Sequence, residues 1–279
     1  MIRLAFALAL LASVPAPALA QAPGPEDRIP HSAVATGGRD VARAWLAEPT
    51  TRYAHGVLGD AIEAGALVVE TRGGERLIHR LPERFVFEDL TPRLADLDGD
   101  GRDEVIVVRA DARLGAALVV YGVEGGALVQ EAASEPIGRA NRWLNPIGAA
   151  DLDGDGAMEV AWIETPHIGG VLRVASWRDG RLVPRDALRG VSNHALGATA
   201  LGLHALVDRD GDGTPDIVAP VQARDALVVV DFRGGRLVEA ERIALPGRVA
   251  GDIRVEGRSL VVPTDRGAVA VPLATGERG

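Results

Sequence analysis

The chain has 279 residues, of which 47% are hydrophobic and 25% charged, with a formal net charge of −9. That composition belongs to a globular protein and excludes wholesale disorder. The lack of cysteine excludes a disulfide scaffold, a thiolate zinc site, a cysteine nucleophile and a lipoprotein anchor. Aromatics at 4% are too few for a base-stacking nucleic-acid platform, and all 30 basic residues are arginine with no basic stripe. The 34 glycines and 17 prolines supply turn chemistry for many short strands.

In chain order, Arg3 is followed by an apolar run over residues 4–14, breaks at Pro15 and Pro17, and Ala18-Leu19-Ala20. This order predicts a secretory signal cleaved after Ala20, because the run is too short for a bilayer span. The mature chain is therefore expected in the periplasm or outside the cell, with no membrane span after cleavage. Residues 21–44, rich in Ala, Gly and Pro, read as a lead-in or linker that could supply a closing strand.

Beyond it a repeat emerges. DLDGDGRDEV starts at Asp96, DLDGDGAMEV at Asp151 and DRDGDGTPDI at Asp208, with starts 55 and 57 residues apart. Each segment has Asp at positions 1, 3 and 5, Gly at 4 and 6, and an acid at 9. An apolar run follows each (105–108, 160–163, 217–218), then a second (116–121, 171–175, 226–230). A turn dipeptide comes next: Gly125-Gly126, Asp179-Gly180 or Gly234-Gly235. A third run follows it. Such runs joined by Gly-Gly or Asp-Gly predict antiparallel hairpins. Weaker copies flank the three: residues 67–77 match the second run, turn and third run, and residues 260–271 match the first two runs. Counting back from residue 67 places an acid-free loop at residues 45–53. Repeats of this length with three or four strands each predict an all-β fold, a β-propeller of about five blades. The expected units are 45–90, 91–145, 146–200, 201–247 and a truncated 248–279 that the lead-in could complete, a sixth blade remaining open.

Three carboxylates spaced by glycines let a tight loop turn its oxygens inward. The acids are Asp96, Asp98, Asp100 and Glu104; Asp151, Asp153, Asp155 and Glu159; and Asp208, Asp210, Asp212 and Asp216. Backbone carbonyls at position 7 (Arg102, Ala157, Thr214) would bring each cage to the six or more oxygens that calcium accepts. Position 12 holds Val107, Trp162 and Ala219, so these are not EF-hands, which need a bidentate Glu there. The competing reading is an ion-free Asx turn. Two carboxylates about 5 Å apart, however, repel by roughly 3 kcal/mol at an effective dielectric near 20, and a lone Asp-Gly would make the turn without that cost. About three structural calcium ions are expected, and the twelve loop acids account for the low net charge.

These loops and the runs behind them, at 96–108, 151–163 and 208–218, resemble FG-GAP/VCBS repeats of the integrin-α N-terminal propeller superfamily, of a divergent bacterial type. The resemblance implies a propeller, usually seven-bladed, whose Asp-x-Asp-x-Asp-Gly-x-x-Asp loops bind calcium through the twelve acids named above. Glu104 and Glu159 stand where Asp is commoner. The resemblance implies no particular activity.

Three clusters depart from the repeat: Asn141-Arg142-Trp143-Leu144-Asn145 in an inter-blade connection, Thr165-Pro166-His167 in a hairpin, and Ser192-Asn193-His194 before the third loop. Asn141, Arg142, Trp143, Asn145, His167 and His194 are the candidate ligand-binding residues, with Trp143 also readable as inter-blade packing. Glu164, three residues before His167, could pair with it as acid and base. No nucleophile elbow, zinc-protease motif or phosphate loop occurs. The expected function is recognition of a protein or glycan by a non-enzymatic module. A hydrolase or lyase using His167 and His194, and a purely structural module, are the alternatives.

Overall fold

The computed structural model describes residues 25–273, so the expected leader over residues 1–20 and the first residues of the lead-in lie outside the described residues. Among the described residues there is no helix, and hence none long and apolar enough to cross a membrane. The chain is all-β, with antiparallel sheets that succeed one another along the sequence.

The first unit comprises β1 (Ala35–Thr36), β2 (Val41–Thr50), β3 (Glu63–Thr71) and β4 (Arg76–Arg80). The second comprises β6 (Arg93–Ala95), β7 (Glu104–Asp111), β8 (Gly115–Glu124) and β9 (Ala127–Ala133). Between them β5 (Phe85–Phe87) pairs with β7 and touches β3 at the single position Ala64↔Phe87, joining both units into one nine-stranded sheet. The third unit is β10 (Leu144–Ala150), β11 (Glu159–Glu164), β12 (Val171–Arg178) and β13 (Arg181–Arg189). The fourth is β14 (Ala205–Val207), β15 (Asp216–Pro220), β16 (Ala226–Arg233) and β17 (Arg236–Ala244), and the last is β18 (Arg254–Glu256), β19 (Ser259–Thr264) and β20 (Gly267–Pro272).

The predicted hairpins form as their turn residues dictate. Gly125 and Gly126, Asp179 and Gly180, and Gly234 and Gly235 all have positive φ, the conformation that a two-residue type I′ turn needs at both central positions. A register shift recurs at one place in three units, at Val120/Tyr121, Val174/Ala175 and Val229/Val230, bending the outer strand pair alike each time.

Two expectations about the N-terminal part need correction. The first unit begins at Ala35 rather than residue 45, and residues 45–50 are interior to β2, not an acid-free loop. The counterpart of the acidic loops is residues 37–40, where Gly37 N–H donates to Ala42 O. As at the acidic loops, the strands on either side pair, β1 with β2 (Ala35↔Ala44), so β1 completes the first sheet instead of the last, which has three strands.

The core follows from the period of two along each strand. On one face of β11 and β12, Val160, Trp162, Ala175 and Trp177 pack with residues of the second unit such as Val107 and Leu118. On the other face, Ala161, Ile163, Leu172 and Val174 pack with Ile217, Ala219, Val228 and Val230 of the fourth unit. The fourth unit's opposite face, Val218, Leu227 and Val229, meets Leu260 and Val262 of the last. Inner strands are thus buried on both faces, which is why they read as unbroken apolar runs. Each fully buried Val, Leu or Ile contributes roughly 1.5–3 kcal/mol. The outer strands β9, β13 and β17 are largely exposed and touch each other along the rim. Sheets stacked face to face in sequence order are consistent with a β-propeller.

Candidate functional site

The three acidic loops link the first strand of a unit to its second: β6 to β7, β10 to β11, and β14 to β15. Their glycines are required by conformation. Gly99 and Gly101, Gly154 and Gly156, and Gly211 and Gly213 all have φ between 73° and 97°, where a Cβ is strained. The position-1 carboxylate then receives loop amides: Gly99 and Gly101 donate to Asp96, Gly156 to Asp151, and Gly211 and Gly213 to Asp208. The position-9 acid folds back under the loop to accept from the amide at position 2, Leu97 to Glu104 at 2.6 Å, Leu152 to Glu159 at 3.0 Å and Arg209 to Asp216 at 2.8 Å.

Oxygens of Asp96, Asp98 and Glu104 lie within 4.8 Å of one another, as do those of Asp151, Asp153 and Glu159, and of Asp208, Asp210 and Asp216. The acids at position 9 are buried. Burial lifts Glu104 to about 7 and raises Glu159, and burial together with the adjacent Asp231 lifts Asp216 to about 7. Asp151 Oδ1 is buried with no hydrogen-bond partner. Hard oxygen donors, one of them unsatisfied, fit a divalent cation. The position-5 acids are held at the rim by arginines: Asp100 by Arg102, Asp155 by Arg178, and Asp212 by Arg233. Arg39, from the short loop of the first unit, reaches Asp96 at 3.3 Å and Asp103 at 2.9 Å, so among the described residues only the first loop has an ion pair with a cation from another unit.

The repeat-breaking residues converge in part. Trp143 and His167 are nearly parallel with ring centroids 6.0 Å apart, and His194 is 4.7 Å from Trp143 and 5.0 Å from His167. His167 Nε2 and His194 Nδ1 are 2.8 Å apart, His194 Nε2 lies 3.0 Å from Ala198 O, and Trp143 Nε1 donates to Glu88 O at 2.8 Å. Trp143 and His194 are buried. Burial depresses both imidazoles to about 4, so they are neutral at pH 7. Glu164 does not pair with His167; it binds Arg173 at 2.7 Å on the adjacent strand. Asn145 is not in a connection but on β10, fully buried, donating to Asn193 O and Leu201 O, and it ties the third unit to the fourth. Exposed Asn141 donates its N–H to Tyr53 Oη, and half-buried Arg142 donates to Asn141 O.

Sequence reasoning missed the acids behind this cluster. Glu88 is fully buried, bonded through one oxygen to His55 Nδ1, and its Oε2 has no partner. Burial raises its carboxyl far above the usual range, and the same cause, reinforced by Glu88, Asp60 and Asp89, lifts buried Glu63 to about 9. Neither lies in a motif. The one signal available was an acid inside an apolar run, as in Phe85-Val86-Phe87-Glu88.

Residues 96–162 match the family model of the FG-GAP-like repeat, from the start of the first acidic loop to beyond the second. No curated protein matches the chain. The matched segment covers two copies of the loop whose geometry recurs in the third, and membership of the integrin-α propeller superfamily is consistent with it. Over residues 96–162 the chain is thus similar to FG-GAP-like repeats.

Proposed function

We propose that this chain is an exported, calcium-stabilised propeller of five blades that serves as a recognition module for a protein or a glycan. The observation that carries the reading is the threefold recurrence of one cage in one register, with the unsatisfied Asp151 oxygen in the middle copy. Asp96, Asp98 and Glu104 would hold one ion, Asp151, Asp153 and Glu159 a second, and Asp208, Asp210 and Asp216 a third. Asp100, Asp155 and Asp212 and the carbonyls of Arg102, Ala157 and Thr214 are the remaining proposed ligands. A bound divalent ion would cross-link the two ends of each loop and favour the charged form of acids that burial disfavours.

In this reading the histidine cluster is part of the frame rather than a catalytic centre. Three of the four ring nitrogens of His167 and His194 face a neighbour, and neither residue lines any of the described cavities. The test is a binding screen against glycans and envelope proteins with calcium and with chelator. Calcium-dependent capture of one class supports the reading, and turnover of an ester or glycoside abolished by His194→Gln would replace it with the hydrolase alternative.

A further inference from the structure

The face of the third unit that looks toward the second departs from the repeat in one place. Trp162 stands on β11 where the second and fourth units have Val107 and Ala219, and Glu164 stands where they have Arg109 and Val221. Both side chains share one face of β11, and Arg173 lies directly across from Trp162 on β12. In front of them, between the chain leaving β9 and strands β12 and β13, is a cavity of about 350 Å³, the size of a small-ligand site. Trp162 lines it, is 3% exposed, and its indole N–H has no hydrogen-bond partner. A buried donor left unpaired is costly, and a ligand acceptor would satisfy it.

We propose that this cleft binds a neutral saccharide ring, with an oxygen accepting from Trp162 Nε1–H and neighbouring hydroxyls meeting Glu164 and Arg173. The proposal rests on the reading of the chain as a recognition module and narrows its ligand to a glycan at this place. The chemistry of the walls selects the class. Glu164 and Arg173 fix each other at 2.7 Å and so present an acceptor beside a donor, which suits vicinal hydroxyls, each able to give and take a hydrogen bond. Leu182 and Pro184 supply an apolar wall for the ring's C–H face. Glu135 and Glu164 outnumber Arg173 around the cavity, which disfavours an anion. The N–H and C=O of a trans peptide amide point to opposite sides, so one amide meets only one half of the Glu164–Arg173 pair.

The experiment uses the full chain in calcium, labelled with ¹⁵N, and follows its indole N–H resonances during titration with methyl glycosides of glucose, galactose, mannose and N-acetylglucosamine. Trp162→Phe assigns the signal; should that core variant fail to fold, the exposed Arg173→Ala and the near-isosteric Glu164→Gln still decide the matter. The expected result is a shift of the Trp162 resonance by at least one glycoside, with the Trp45 and Trp143 signals unmoved and affinity reduced about tenfold or more in each variant, the loss of one good hydrogen bond. The proposal is overturned if no glycoside moves that resonance, if affinity survives both variants, or if N-acetyl-alanine methylamide moves it and glycosides do not. A glycoside bound elsewhere, or capture of an envelope protein without any glycoside binding, removes this site and leaves the recognition reading standing.

Discussion

Asp153→Asn separates the ion from the turn, because the substitution should act with opposite sign in the two states. Asp153 shares its cage with Asp151 and Glu159, their oxygens within 4.8 Å. With calcium about 100-fold above Kd, an occupied site adds about 2.7 kcal/mol. For a domain of this size each kcal/mol moves Tm by roughly 2–4 °C, so losing one site lowers the calcium-bound Tm by about 5–11 °C. In chelator, the amide removes one of three clustered negative charges. The direct repulsion is roughly 3 kcal/mol per pair at a dielectric near 20, falling to about 1 kcal/mol for a half-exposed group after solvent screening. The asparagine oxygen can still accept the long bond that Asp155 N–H now makes to Asp153 at 3.4 Å. The variant should therefore melt at the wild-type temperature or slightly above it in EDTA, and well below it in calcium. Scanning calorimetry in both buffers reads the crossover, and isothermal titration should count two ions where the wild type takes three. Equal loss of Tm in both buffers, or a wild-type melt indifferent to EDTA, would refute the cation assignment.

Two further predictions bear on the charges around this frame. Arg39→Ala should tighten cation binding at the first loop alone, since it removes the guanidinium 3.3 Å from Asp96, and the gain should shrink as salt is added; titration calorimetry at two ionic strengths checks both parts. Glu63, lifted to about 9 by burial and by Glu88, Asp60 and Asp89, retains a proton in the folded state that the unfolded chain releases near 4.5. The native state binds more protons between those values, so stability falls as pH rises through this window, by up to about 1.4 kcal/mol per unit from this group. Glu63→Gln should flatten the dependence of Tm on pH between 6 and 9, and parallel slopes for the two proteins would contradict it.

Much of the fold was legible because repeat, turn and strand reinforce one another locally. The runs behind the acidic loops became β7, β11 and β15, and the dipeptides at 125–126, 179–180 and 234–235 made the turns that their backbone preferences demand. The three-residue strands β6 and β14 were not legible, being too short to show a period. Nor was β5, which sits between two units and is defined only by its partners. At the acidic loops, spacing picked out the acids but not which of them cluster; Asp100, Asp155 and Asp212 stand outside the three clusters, each beside an arginine. Trp143, His167 and His194 were singled out because they break the repeat, and they do meet. His55, Glu63 and Glu88 joined the same region unannounced, brought together by long-range contacts of inner strands and connections, which a linear reading cannot see.

The bridge made by Phe85–Phe87 gives the molecule uneven cooperativity. Where neighbouring sheets meet only through side chains, one can fray while the next persists, as in repeat arrays generally. The first two units are tied through β5 by its three-residue ladder to β7 and one bridge to β3, more than the isolated bridge Val191↔Val221 between the third and fourth, so they should exchange their amides as one foldon. The three-stranded C-terminal sheet, joined among the described residues only to the fourth unit, by packing and by the bonds from Val249 N–H to Arg224 O and Ile253 N–H to Gly202 O, stands at the opposite extreme. Unfolding would then start at the C-terminal end and stall at the N-terminal pair.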